Sequence, residues 1–475
     1  MKSKIFLLVF FLLATQVATA QIMFQEHYGG AQKESGGSVL QTDDGGYIIA
    51  GYTESYGSGG DIYLLKTDQN GNMQWIKTFG GVGLEQASSI IKTNDSGYII
   101  AGATSSFGYG GSDVYCIKVD MNFDTLWTKT YGGSFDDEGY DIIQTSDSGY
   151  LITGYSMSFT SGFSSIYVIK TDKYGDTLWT KTYNKKNANM GSSVIKDISN
   201  GYLIVGTTSN YGISNTKDCF IIRIDNAGDT LWTKTIGGSF DDYSVSAMVT
   251  NDGDFIVCGI TNSIGNGYFD VYYFKINSSG DIIWSKTLGG TAYDDGRMII
   301  PTTDNAFAIV GTTSSFGAGG EDVYLMKLNQ NGDTLWTKTF GNIGDEGAES
   351  IKETNDGGFV LSGYTNSFGG NYDVYLIKTD ANGISGFEKI IRFNLNCLVY
   401  PNPCKGILNI QMNNFSGNDF LIELFNINGQ LVHAEKYENN NSTSNQLNLT
   451  NYPKGFYLLR ICANNQTIIK KIIYY

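Results

Sequence analysis

The chain has 475 residues, of which 60 are Gly, 32 Tyr and 26 Phe but only four are Pro, and charged residues make up 17%. This mixture predicts an all-β protein, because aromatic side chains fill pleated surfaces and Gly supplies turns. A net charge of −15 excludes binding along a nucleic-acid backbone, which needs clustered Lys and Arg, and favours solubility instead.

The first twenty residues, MKSKIFLLVFFLLATQVATA, place Lys2 and Lys4 before an apolar run from Ile5 to Ala14 and end on the small-residue pattern Ala18-Thr19-Ala20. This is the pattern of a secretory signal peptide, predicting a leader over residues 1–20 and a mature chain that begins at Gln21 outside the cytoplasm. The run is too short to cross a bilayer, and no later stretch approaches roughly eighteen apolar residues, so no transmembrane segment is expected.

All six tryptophans, Trp75, Trp127, Trp179, Trp232, Trp284 and Trp336, stand in one motif at spacings of 52, 52, 53, 52 and 52 residues. GDTLWTKT occurs at 175–182, 228–235 and 332–339, and its last seven letters recur at 124–130. The pattern runs from Glu34 to about Gly383 in seven copies, each with four short alternating runs separated by Gly, Asn, Asp and Ser clusters. In the second copy these strands, A to D, are expected near Ala87–Lys92, Tyr98–Ala103, Val114–Val119 and Thr125–Tyr131. A small four-stranded sheet buries both faces only by stacking on neighbours around an axis, which predicts a seven-bladed β-propeller with Trp plugging the joints between blades. The period and the Trp placement resemble those of Trp-docking and kelch-like propellers, although the WD dipeptide and the GH signature are absent.

FQEHYGG at 24–30 aligns with WTKTYGG at 127–133 and puts Phe24 at the Trp position, whereas the seventh copy ends in GISGFEKII with Phe387 there. An N-terminal strand over 22–28 is therefore expected to complete the last blade and remove an exposed edge. Gly386–Arg392 is the alternative source of that strand. The propeller domain is thus assigned to residues 21–393.

Two histidines, His27 and His433, leave the propeller without a His-based acid–base pair, triad or metal site. Carboxylates recur after strand D: Glu85, the pairs Asp136 and Asp137, Asp241 and Asp242, Asp294 and Asp295, and Asp345 with Glu346. Repetition on several blades argues against catalysis, which needs one asymmetric pair, and leaves loop-fixing hydrogen bonds, a Ca²⁺ site or a binding face open. Phe107, Phe316 and Phe368 share a place in the B–C loops at the same end of the ring, as do Tyr56 and Phe159, and with the carboxylates they define a candidate binding face. No catalytic residue, cofactor or metal ligand is assigned. Turns such as DQNGN lack the later Glu of a Ca²⁺ loop and are expected to be ordinary hairpins. Cys116, Cys219 and Cys258 lie in apolar strand patterns and are expected as buried thiols, while Cys397, Cys404 and Cys462 leave one bridge open.

Three of the four prolines lie in the last 75 residues, where Trp and the 52-residue period vanish, so a second domain is assigned to 394–475. Its runs alternate like the strands of a small immunoglobulin-like sandwich. VYPNPCKGILNI opens it, LFNINGQLV marks its middle and LNLTNYPKGFYLLRICANNQTIIKKIIYY closes it. This order of landmarks, with Asn402 and Pro403, Gly429, Gly455, Lys470 and Lys471, resembles the type A C-terminal sorting domain of the type IX (Por) secretion system. The resemblance implies export across a Gram-negative outer membrane by that machinery, to the medium or the cell surface. The ending IIYY departs from the family's usual charged or polar ending. The reading is a monomeric, non-enzymatic propeller that presents a loop face to a glycan or surface-protein ligand. A carboxylate hydrolase or lyase acting on polysaccharide and a structural spacer are the alternatives.

Overall fold

The computed structural model describes residues 22–160, 163–184, 188–199, 201–209, 216–368, 371–385, 396–413, 420–426, 430–437, 444–463 and 466–475. The leader at 1–20, Gly386–Arg392 and Gly429 lie outside these residues. All regular elements among them are strands, and the chain divides between Phe387 and Glu388 into two compact units.

The first unit holds seven four-stranded antiparallel sheets. Blade two is typical, with strands A to D at Glu85–Lys92, Tyr98–Thr104, Asp113–Val119 and Thr125–Tyr131. The A strands touch in cyclic order, that of blade one meeting those of blades two and seven, so the blades close a ring. Buried apolar clusters bridge neighbours: Ile48 and Ile62 of blade one pack with Ile100 and Ile117 of blade two. Removal of these faces from water is the main force holding the ring.

GDTLWTKT recurs because each copy carries both halves of an inter-blade joint. Trp127 of blade two lies on Gly175 in the C–D turn of blade three, where φ is +79° and an added Cβ would stand 2.8 Å from the indole. Only Gly meets both conditions without strain. Lys129 Nζ reaches Asp176 at 2.8 Å and Tyr131 Oη donates to the Gly175 carbonyl at 2.7 Å. Gly175 and Asp176 in turn open the copy whose Trp179 and Lys181 meet Gly228 and Asp229 of blade four. Exposed ion pairs contribute about 0–1 kcal/mol each, so Trp packing carries the joint. In blade two Phe123 replaces the turn Gly, at φ +63°, and its ring packs edge-on to Trp75 at 5.1 Å.

The seventh sheet comprises Glu346–Glu353, Phe359–Thr365 and Asp373–Thr379, and its outermost strand is Phe24–Tyr28. Phe24 pairs with Lys378 in the register in which Trp127 pairs with Lys118. Its ring covers Gly71 of blade one, and Tyr28 Oη donates to the Gly71 carbonyl, as Tyr131 does at its own joint. The ionic half differs at this seam: Glu26 stands at the Lys position and Asn72 at the Asp position.

The second unit, taken by itself, has a three-stranded sheet (Asn396–Tyr400, Ile407–Asn413, Ser444–Asn448) and a four-stranded one (Leu431–Tyr437, Phe420–Asn426, Gly455–Ala463, Gln466–Tyr474). Leu408 and Ile410 of the first share one core with Ile422, Leu424, Leu459, Ile461 and Ile472 of the second, which makes a sandwich. Cys404 is buried and free, as are Cys116, Cys219 and Cys258 in the propeller.

Candidate functional site

Glu34, Glu85, Asp137, Asp242 and Glu346 open strand A in five blades, Asp294 holds the equivalent place in blade six, and all six are at most 1% exposed. Each takes hydrogen bonds that tie the D–A loop to the end of strand B. Asp242 Oδ2 accepts from Gly238 N at 2.8 Å and Ser263 Oγ at 2.6 Å, and Glu346 accepts from Asn342 N and Thr365 Oγ1, each at 2.7 Å. Asp295, also buried, bonds within its own blade. The expected exposed carboxylate face is therefore corrected at Asp137, Asp242, Asp294, Asp295 and Glu346: short loops leave backbone N–H groups that need an internal acceptor, and these side chains supply it. Asp294 is the counterpart of Asp137, so the pair at 294–295 is one residue out of register with the pair at 136–137. Asp136 is exposed, and Asp241 and Asp345 are half-buried. These three accept from Ser112 N, Lys217 N and Glu321 N of the preceding blade at 3.0, 3.0 and 3.3 Å.

Phe107 and Phe316 are 44% and 45% exposed, each resting one side on a strand-C tyrosine, Tyr115 or Tyr324, at 5.7 Å. Phe368 is more enclosed, stacked on His27 at 4.6 Å. More exposed apolar groups occupy the D–A tips: Val82 at 90%, Phe135 at 62%, Phe240 at 58% and Ile343 at 74%. The sequence GGSFDD at 132–137 and again at 237–242 was the signal for two of them.

In six blades a buried Asp stands at or next to the start of strand C, and in several it accepts backbone N–H from the B–C loop, as Asp113 does from Tyr109 and Asp322 from Ala318. Asp218 has no partner for either oxygen among the described residues, and burial, then Asp242 and Asp241, push its carboxyl up to about 6. The native state thus binds this proton between about pH 4 and pH 6, where the unfolded chain has released it, so this contribution to stability falls as pH rises through that window. Asp218→Asn is expected to raise stability at pH 7 by about 1–2 kcal/mol and to change little at pH 4, read by urea melts at both pH values.

The channel at the centre of the ring was not anticipated. Strand A carries a β-bulge in six blades, and the residue it turns out lies on the channel wall. These residues are Gly37, Ser88, Tyr140, Ser192, Val245 and Glu349, with Arg297 at the same register in blade six, where strand A shortens to Met298–Pro301. A bulge breaks two-residue alternation, so periodicity hides this position, although its variation from Gly to Arg in an otherwise repetitive strand marks it. The next residue in each blade, Ser38, Ser89, Asp141, Ser193, Ser246, Met298 or Ser350, forms an inter-blade belt. Ser38 Oγ accepts from Ile90 N and Ser350 Oγ from Val39 N, at 3.3 and 3.2 Å. Asp141 joins three blades, accepting from Ser89 Oγ at 3.1 Å, Ser193 Oγ at 2.9 Å and Val194 N at 3.0 Å. Burial still pushes its carboxyl up.

The channel encloses about 700 Å³ and reaches the D–A and B–C loop end beside Lys33, Tyr364 and Tyr372. Blades six and seven make it asymmetric. Arg297 Nε lies 2.7 Å from Asp295 Oδ2 and its Nη1 4.0 Å from Glu349 Oε2. Asp295 is fixed in turn by Thr312 N at 2.7 Å and Tyr293 Oη at 3.1 Å, and Tyr364 Oη donates to Glu321 at 3.2 Å. Burial pushes the Glu349 carboxyl up against the pull of Arg297, and burial likewise raises Glu321. Among the described residues no group of three or more His, Cys, Asp or Glu is placed to hold a metal ion.

Fold and channel together define a β-propeller repeat protein. Residues 398–475 match the family described as the secretion system C-terminal sorting domain, which indicates export to the cell surface or the medium with the type IX machinery. Among curated proteins the chain is similar to the uncharacterized WD repeat-containing protein L264 of Acanthamoeba polyphaga mimivirus, 22% identical over 261 residues, with 40% of this chain and 19% of that protein covered. It is also similar to the regulatory protein FlaEY of Caulobacter vibrioides, 21% identical over 164 residues, with 29% and 17% covered. The chain thus spans under a fifth of either relative's length. Among solved structures, puromycin hydrolase superposes with a TM-score of 0.49 at 11% identity, covering 80% of this chain and 59% of that chain. The endo-1,5-alpha-L-arabinanase of Thermotoga petrophila RKU-1 superposes with a TM-score of 0.30 at 12% identity, covering 75% and 100%. No helix of the described residues is long and apolar enough to cross a membrane.

Proposed function

We propose that the chain is a secreted or surface-displayed binding protein whose loop end presents a collar of apolar and acidic groups to a glycan or a surface protein. The observation that carries this reading is the gathering of Val82, Phe135, Phe240 and Ile343, each more than half exposed, on the D–A tips of one end. Exposed apolar groups collected at one end of a soluble domain mark an interaction surface. Asp136 and Asp241 follow two of these aromatics directly and offer carboxylate oxygens to hydroxyl or amide donors. The expected leader at 1–20 supplies passage across the inner membrane.

The test must spare Asp137 and Asp242, whose replacement would unfasten the loops. Screening the secreted protein on a glycan and host-protein array, then replacing Phe135 and Phe240 by Ser and Asp136 and Asp241 by Asn, is expected to weaken the captured partner about tenfold or more. Thermal melting should stay unchanged. Equal binding by this variant, with binding lost on altering Asp172 and Asp225 in C–D turns at the opposite end, would reject the assignment.

A further inference from the structure

We propose that the central channel is a socket for the end of a neutral saccharide chain, which enters from the loop end. The proposal rests on the loop-end reading above and adds the ligand class and its seat.

A channel that served only as the seam of the ring would be filled by small or apolar bulge residues, as Gly37 and Val245 fill it. Blades six and seven instead place Arg297 and Glu349 side by side in a cavity of about 700 Å³. Enclosing opposite charges costs desolvation that their mutual attraction seldom exceeds, so packing alone does not explain them. The volume falls within the roughly 300–1,000 Å³ of sites that enclose small ligands. Arg297 is held from behind by the buried Asp295, and among the described residues its terminal nitrogens have no hydrogen-bond partner, so its donors are fixed and free toward the cavity.

The ligand chemistry follows from the charges. An anion would meet Glu349 and Asp141, and a cation would meet Arg297 and Lys33, so neither is compensated. A pair of neighbouring hydroxyls suits both groups, since each hydroxyl donates to the carboxylate and accepts from the guanidinium. Tyr140 and Tyr364, both on the wall, supply aromatic groups of the kind that suits the apolar side of a sugar.

The experiment is isothermal titration of the full-length secreted protein with linear hexasaccharides of glucose (β-1,4 and α-1,4), xylose and mannose, and with hexagalacturonate as the anionic comparison. At least one neutral hexasaccharide should bind, and hexagalacturonate should bind more weakly. Glu349→Gln and Arg297→Lys should each weaken binding about tenfold or more. Because a change at Arg297 disturbs Asp295, Ser88→Tyr provides an independent variant: blade three already carries Tyr at this bulge, and a second ring there should fill the socket and abolish binding. Near-ultraviolet circular dichroism checks that each variant is folded. Binding unchanged in Ser88→Tyr, preference for hexagalacturonate, or no binding of any neutral hexasaccharide would overturn the socket. If Ser88→Tyr leaves binding intact while the Phe135, Phe240, Asp136 and Asp241 variant loses it, the socket fails and the loop-end reading stands.

Discussion

Deleting residues 21–30 is expected to cause the largest loss of stability available to a change outside the core strands. Phe24–Tyr28 is the fourth strand of blade seven, and without it the edge of Asp373–Thr379 stands open with its backbone groups unpaired. Phe24, 7% exposed, also belongs to the cluster that joins Tyr47 and Leu65 of blade one to Val374 and Leu376 of blade seven, so the deletion removes one side of the ring joint as well. Phe24→Ala alone should cost about 3–5 kcal/mol in chemical denaturation, the usual loss for a buried aromatic ring, and the deletion more. Phe24→Trp should be tolerated, because the other six joints place Trp on this site. Glu26→Lys combined with Asn72→Asp should restore the ion pair found at Lys129 and Asp176 and gain no more than about 1 kcal/mol. A deletion variant that melts with the parent would show that the ring closes by another strand, and Gly386–Arg392 would then be the segment to remove.

The seam also shows what sequence could and could not reveal. Blade number, strand order and the role of Phe24 were legible because the joints repeat nearly the same residue types at one spacing: Trp and Lys on strand D, Gly and Asp in the next turn. The carboxylates were legible as a repeat but not as a role, since the same residue type satisfies a buried loop or faces a ligand, and only burial separates Asp137 from Asp136. The shift at Asp294 and Asp295 escaped for a local reason: ahead of the short strand A of blade six the pairing is irregular, with an isolated bridge at Asp294 and Thr313, and the Asp295 carboxylate takes the Thr312 N–H. The channel stayed hidden because a bulge moves Glu349, and the shortening of strand A moves Arg297, out of the alternation that assigns strand residues to one face or the other. Charges placed by an irregularity, rather than by the repeat, are where this propeller departs from a purely structural ring.

Removing residues 394–475 is expected to abolish appearance at the surface of a type IX-competent Gram-negative cell and to leave a folded propeller in the periplasm. The two outcomes separate because the units have separate cores. Among the described residues the apolar clusters of the blades draw on residues up to Ile377, and the cluster around Leu408, Ile422, Leu459 and Ile472 draws only on the sandwich, so each unit has a core of its own. The sorting-domain match at 398–475 lies wholly within the removed segment, so the export signal is lost without touching the strand that closes blade seven. Cell fractionation and protease shaving locate the truncated chain, and a melt of the periplasmic product matching that of the intact protein's propeller transition shows that it is folded. Grafting 394–475 onto an unrelated periplasmic reporter supplies the converse, since a portable signal should carry the reporter to the surface. Surface appearance of the truncated propeller, or a grafted reporter that stays inside, would place the export signal elsewhere in the chain.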